Sequence, residues 1–309
     1  MAAREMVVTS KVGAADGVVV LDLAAADGGA LPSWEPGAHI DLVLESGLER
    51  QFSLCGRPSE RSWRIAVLRE EPGRGGSAFV HDRLAAGDRV SVRGPRNHFP
   101  LVPADEYLFI AGGIGITPLL PMIHQVARAG GRWRLVYGGR RGAAMAFVDE
   151  LPAEPARIDL WPQDERGLID LDGLLGKPRP GCRIYCCGPE SLIAAVEERS
   201  AGWALHTERF HPKAHALEGA NHGFVVRLDY SGIDVTVAAD QSILQAVEAA
   251  GIPVETSCRE GTCGTCETTV LDGVPDHRDS VLSDEEHATN ETMMICCSRA
   301  LSPRLVLDL

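Results

Sequence analysis

No stretch of this chain is apolar for long enough to cross a membrane, although 45% of its 309 residues are hydrophobic. The opening residues Met1-Ala2-Ala3-Arg4-Glu5-Met6-Val7-Val8 lack the apolar core of a secretion signal, so a cytoplasmic protein with no membrane partner is expected. Internal repeats and low-complexity segments are missing as well. So is any Ser/His/Asp set, which leaves nucleophilic catalysis without a candidate. Lysine is absent from residues 222–309, which carry five basic groups against 15 acidic ones. That tail holds −10 of the net charge of −13, while residues 1–103 (12 basic, 13 acidic) and 104–221 (13 and 15) are nearly balanced. The overall charge argues against nucleic acid as a partner, and the lopsided tail suits docking to a basic protein surface.

What the tail does contain is cysteine. Cys258, Cys263, Cys266 and Cys296 are spaced C-x4-C-x2-C, then 29 residues and a fourth Cys, the plant-type pattern for four thiolates around a [2Fe–2S] cluster. Gly261 and Gly264 supply the backbone freedom that a loop wrapped around an inorganic core needs. A structural zinc site usually pairs two short knuckles, and here only Cys263 and Cys266 form one. The odd total of nine cysteines also fits a reducing compartment better than a disulfide framework. Such a cluster moves single electrons, so the remaining chain should supply them.

Three periodicities divide the chain. Within residues 1–103, short alternating runs beginning at Val18, His39, Gln51, Trp63 and Arg89 are separated by Gly, Pro and Asp turns, which predicts a small antiparallel β-barrel. Over 104–210 the pattern becomes strand, glycine-rich turn, helix, strand, predicting an α/β domain with a parallel sheet. There, Tyr107-Leu108-Phe109-Ile110-Ala111 runs into Gly112-Gly113-Ile114-Gly115. Thr117 and Pro118 resemble a helix cap and first helical position, with Leu119, Leu120, Ile123 and Val126 inward. Residues 211–221 are polar with Gly and Pro and predict a linker. In 222–309, a hairpin and a helix with Ile243, Leu244, Val247 and Ala250 inward precede the cysteine loop.

Two further elements carry chemistry. Arg50-Gln51-Phe52-Ser53 places a cation, an aromatic and a hydroxyl within four residues. Gly73-Arg74-Gly75-Gly76-Ser77 precedes a helical stretch and can form a nest of free N–H groups for a phosphate. Together with Pro36-Gly37-Ala38-His39 and Gly94-Pro95-Arg96-Asn97, these residues resemble the flavin domain of the ferredoxin–NADP reductase superfamily. Ala111-Gly112-Gly113-Ile114-Gly115-Ile116-Thr117-Pro118 and Cys187-Gly188-Pro189 are similar to that superfamily's nicotinamide motifs. The domain order resembles the phthalate dioxygenase reductase and vanillate O-demethylase reductase family.

That resemblance implies FMN, a β-grasp-like α+β ferredoxin domain, and an electron path from NAD(P)H through FMN to the cluster. It also implies a Rieske-type oxygenase as the external acceptor and a monomeric reductase. Arg50 is then expected on the flavin phosphate, with Gly75, Gly76 and Ser77 as its nest. Ser53 is expected near the flavin N5, with Gln51, Phe52 and Val67 as further cofactor-binding positions and Phe210 stacked on the isoalloxazine. Gly112, Gly113, Gly115, Thr117 and Pro118 would hold the dinucleotide pyrophosphate, and Cys187, Gly188 and Pro189 would face the nicotinamide. Where the usual fingerprint has an acidic residue for the ribose, this chain has Arg140 and Arg141. Two arginines suit a 2′-phosphate and NADPH, whereas the resemblance implies NADH. A reductase for a cytochrome P450 and a redox-sensing carrier are the alternative readings.

Overall fold

The computed structural model describes residues 3–44, 49–70, 75–213 and 221–309. The chain divides into two compact units, Met1–Glu208 and Arg209–Leu309.

The first unit opens with six antiparallel strands: β1 (Arg4–Ala15), β2 (Val18–Ala25), β3 (His39–Val43), β4 (Glu49–Ser53), β5 (Trp63–Leu68) and β6 (Arg89–Arg96). Their order is β4-β3-β6-β1-β2-β5, and a bridge from Leu54 to Ile65 joins the two ends into a barrel. Met6, Val8, Leu21, Leu23, Ile40 and Leu42 fill it at zero exposure. Each such side chain contributes about 1.5–3 kcal/mol by leaving water. The helix α1 (Gly76–Asp82) lies between β5 and β6.

Five parallel strands follow: β7 (Glu106–Gly112), β8 (Arg132–Gly139), β9 (Ile158–Pro162), β10 (Cys182–Cys187) and β11 (Ala204–Glu208), in the order β11-β10-β7-β8-β9. Helices α2 (Ile116–Arg128), α3 (Gln163–Arg166), α4 (Leu171–Leu175) and α5 (Glu190–Arg199) alternate with them. Apolar clusters cover both faces, around Phe109 and Leu119 on one and Ile110 and Ile193 on the other. The chain leaves β7 toward β8 and later returns on its other side as β10. That reversal opens a crevice at the carboxyl ends of β7 and β10, the usual ligand position in such sheets.

The second unit has a five-stranded sheet in the order β13-β12-β18-β14-β16, built from β12 (Phe224–Leu228), β13 (Ile233–Val237), β14 (Glu267–Asp272), β16 (Thr292–Met294) and β18 (Arg304–Leu307). A small ladder pairs β15 (Pro275–Asp276) with β17 (Arg299–Ala300), and α7 (Asp284–Thr289) precedes β16. Helix α6 (Ile243–Ala249) starts at a capping box between Ser242 and Gln245 and buries Ile243, Leu244, Ala246 and Val247 in this unit's core.

Two helix details differ from expectation. Thr117 is not a cap: a single turn at Gly113–Gly115 runs directly into α2, so Thr117 is already helical and its hydroxyl donates to the Ile114 carbonyl. Ala250 is exposed at the end of α6, and Ala246 takes the inward place. Of the expected linker, 214–220 lie outside the described residues. At its two ends the Lys213 N–H donates to Ser280, and Asn221 accepts from Arg278. No helix among the described residues is long and apolar enough to cross a membrane.

Candidate functional site

Glycine makes the close approach of the two turns at the ends of β7 and β10 possible. A Cβ on Gly115 would stand 2.3 Å from the Cys187 carbonyl oxygen, and one on Gly112 would stand 2.6 Å from Pro189. The turn after β7 therefore presses against Cys187-Gly188-Pro189 after β10, with the amino end of α2 at the junction. The Ile116 N–H is already spent on the Gly113 and Ile114 carbonyls, so an anion here would meet the N–H groups of the preceding Gly113–Gly115 turn.

Three side chains meet beside this turn. Ser53, at the end of β4, is buried and its hydroxyl donates to Glu208 Oε2 at 3.4 Å. Glu208 ends β11 and pairs in register with Cys187, which also pairs with Ala111 of β7. Glu208 keeps some solvent-facing surface, yet its carboxyl is enclosed by protein atoms, and that desolvation pushes its pKa up to about 8 against the opposing bond from Ser53. Burial, reinforced by Glu208, pushes the Cys187 thiol well up as well, so Cys187 is a neutral thiol rather than a thiolate. No motif in the sequence points to Glu208.

The cationic element lies on β4. Arg50 Nη1 donates to the Glu49 carbonyl at 2.8 Å, and the Arg50 stem occupies the space beside Gly76 where a Cβ would stand. Gly75 has φ of +83° and begins α1, while Ser77 accepts from the Glu70 N–H at 3.1 Å. Arg50 and the Gly75–Ser77 turn are thus brought together. Gly73 and Arg74 lie outside the described residues. Gln51 is tied to the buried Asp41 at 3.0 Å, and Phe52 is packed against the barrel core. Val67 is itself core, and its carbonyl faces the His81 ring at 2.9 Å. Phe210 is an exposed residue of the second unit.

Arg140 and Arg141 follow the end of β8, both exposed. Arg141 pairs with Asp16 at 3.3 Å, whereas the Arg140 side chain makes no hydrogen bond or ion pair among the described residues.

In the second unit the four predicted cysteines converge. Side-chain contacts link Cys258 to Cys263 and Cys296, and Cys266 to Cys296. The Glu260 and Thr262 N–H groups point at Cys258 Sγ at 3.3 and 3.4 Å, and the Cys258 N–H points at Cys263 Sγ at 3.5 Å. Gly261 and Gly264 take φ of +72° and +70°, the left-handed turns that let the amides face inward. Buried thiols ringed by amide donors fit an iron–sulfur group, which needs anionic sulfur with hydrogen-bond support. Cys297 is a fifth buried thiol, directed at the Met294 carbonyl at 3.7 Å and packed over Gly261.

Comparison with known proteins agrees with this layout. Residues 226–301 match the family described as "2Fe-2S iron-sulfur cluster binding domain", and 109–198 match "Oxidoreductase NAD-binding domain". The phenoxybenzoate dioxygenase subunit beta of Ectopseudomonas oleovorans is 44% identical over 96% of this chain and 94% of its own. A solved phthalate dioxygenase reductase superposes with a TM-score of 0.71 at 37% identity, covering 99% of this chain and 97% of that one. An intact type IV self-sufficient cytochrome P450 monooxygenase gives a TM-score of 0.92 at 45% identity over 99% of this chain, which spans only 41% of that longer one. The chain belongs to the phthalate dioxygenase reductase and vanillate O-demethylase reductase family. It is an oxidoreductase with a nicotinamide-binding fold and an iron–sulfur fold in one polypeptide.

Proposed function

We propose that this protein is the NADH-dependent reductase component of an oxygenase system, with FMN and one [2Fe–2S] cluster, and that its acceptor is a Rieske-type oxygenase. When bound, the flavin accepts two electrons from the reduced nicotinamide and releases them singly through the iron–sulfur group. Every other task belongs to the chain. Arg50 and the Gly75–Ser77 turn grip the flavin phosphate. The Gly112–Pro118 turn receives the dinucleotide pyrophosphate at the start of α2, and Cys187-Gly188-Pro189 borders the nicotinamide. Cys258, Cys263, Cys266 and Cys296 hold the cluster.

The observation that carries this reading is the meeting of Ser53, Cys187 and Glu208 at the mouth of the crevice. A hydroxyl from the barrel and a carboxyl from the parallel sheet close one small space, where a flavin edge and a nicotinamide can be held face to face. With a pKa of about 8, Glu208 holds a proton at neutral pH within reach of Ser53.

The test is reconstitution. The purified protein should contain one FMN and two irons per chain, and NADH should reduce it without oxygen. It should then sustain turnover of a Rieske oxygenase. A second reading, service to a cytochrome P450, draws on the closer likeness to the P450-fused chain than to phthalate dioxygenase reductase. Efficient turnover with a P450 and none with a Rieske oxygenase would reverse the choice of acceptor. Absence of flavin would overturn the proposal altogether.

A further inference from the structure

We propose that His277, Asp279 and His287, on the second unit and outside the four-cysteine set, form a binding site for one divalent transition-metal ion of the zinc class. His277 follows β15, Asp279 lies in the next turn, and His287 sits in α7. One donor atom from each lies within 4.8 Å of the others. His287 Nε2 is 3.1 Å and His277 Nδ1 is 3.9 Å from the same oxygen, Asp279 Oδ1. Ligands about 2.0–2.2 Å from a tetrahedral ion stand roughly 3.3 Å apart. The two imidazoles stack at 4.4 Å with planes 22° apart, so one ring must turn about its Cβ–Cγ bond for all three donors to reach one ion.

The supporting contacts are those that a metal site requires. Asp279 Oδ2 accepts from the N–H groups of Val281 and Leu282 at 3.0 and 2.8 Å, which fixes the carboxylate and leaves Oδ1 for the histidines. Asn290 Oδ1 stands 3.2 Å from His277 Nε2 and accepts from it when the ring proton is on that nitrogen. His277 Nδ1 then presents a lone pair. It is buried, its side chain is only 9% exposed, and it has no hydrogen-bond partner among the described residues. A buried lone pair facing a buried carboxylate is repulsive unless a cation stands between them. Burial and the neighbouring His287 disfavour a proton as that cation. Two imidazoles and one carboxylate suit zinc or a similar borderline ion, with one coordination position left for water.

The site backs onto the cysteine loop. The Ser280 N–H donates to the Gly261 carbonyl at 2.8 Å, and a Cβ on Gly261 would stand 3.0 Å from Asp279 Cα.

The experiment uses the full-length, cluster-loaded protein, stripped with a mild chelator and then dialysed against buffered micromolar zinc ion. Bound zinc and iron are counted together, and affinity is measured by chelator competition. The wild type should take up one zinc per chain with its iron unchanged. His287→Gln, a change on a short surface helix, should abolish this uptake. Asn290→Leu should weaken it by about 10- to 100-fold through the freed imidazole. Asp279 also holds its own turn together through two backbone N–H groups, so His287→Gln is the deciding variant. No zinc uptake by the wild type would overturn the proposal. So would uptake that His287→Gln leaves intact, or uptake matched by loss of iron.

Discussion

The Ser53 hydroxyl donates to the Glu208 carboxyl across 3.4 Å, linking the last residue of a barrel strand to the last residue of a parallel strand 155 positions later. The bond joins the two layers of the first unit where both cofactors are proposed to meet. It also places there a carboxyl whose pKa burial pushes up to about 8.

Glu208→Gln keeps the shape and removes the titration. Between the ordinary value of 4.5 and about 8, the unfolded chain has lost this proton while the folded chain retains it. Stability therefore falls as pH rises across that window. The variant should lose this part of the slope, so its melting temperature should change less between pH 5.5 and 8.5. The rate of anaerobic reduction by NADH should likewise lose an inflection near pH 8. Identical pH profiles for the two proteins would remove Glu208 from the site.

The close approach at Gly115 separates binding geometry from bulk composition. Gly115→Ala puts a methyl 2.3 Å from a backbone carbonyl, whereas Gly142→Ala meets nothing within 4 Å. The first should cost about 1–3 kcal/mol in stability or in NADH binding, and the second almost nothing. Thermal melts and the KM for NADH report both, and equal effects would contradict the packing described.

Much of this was legible in the sequence, for identifiable reasons. The cysteine spacing and the Gly112–Pro118 turn are local signatures, because metal ligation and anion binding need several residues within one loop. Edge strands left weaker marks. In β9 every residue is only half-buried, and β11 begins exposed, so neither shows clear alternation. Strand β1 has just Met6 and Val8 fully inward, with a bulge between Val8 and Ser10. Glu208 carries no local signature, since its role arises from its register with Cys187 and its reach to Ser53. The His277, Asp279 and His287 cluster stayed hidden for the same reason: a loop and a helix bring it together.

The cysteine pair at 296–297 allows a direct test of ligand assignment. Cys297 Sγ is directed at the Met294 carbonyl, while Cys296 contacts Cys258 and Cys266. Cys297→Ser should retain two irons per chain and an unchanged visible spectrum. Cys296→Ser should lose most of its iron or show an altered electron paramagnetic resonance signal on reduction. The opposite pattern would exchange the two assignments.

Coenzyme choice turns on the residues after β8. Both arginines are exposed, but Arg141 pairs with Asp16, which leaves Arg140 as the one without an ion pair among the described residues. NADH should be preferred in steady-state kinetics, and Arg140→Ala should change kcat/KM for NADH by less than about threefold. If Arg140 instead held a 2′-phosphate, its loss would cost NADPH alone about 1.5–3 kcal/mol, roughly tenfold or more.

The division of the chain predicts a division of activities. The first unit ends at Glu208, and Phe210, which the sequence resemblance places on the flavin, lies two residues beyond. A protein ending at Phe210 should keep FMN and reduce ferricyanide, which takes electrons from flavin directly. It should lose most transfer to cytochrome c and to the oxygenase, because all four cluster cysteines are gone. The full-length protein should also couple less well to its acceptor as salt rises. Its last 88 residues carry −10, and at physiological ionic strength that field reaches only about 8 Å. Oxygenase turnover by the shortened protein equal to that of the full chain would take the cluster off the electron path, and the proposed order of transfer would fail there.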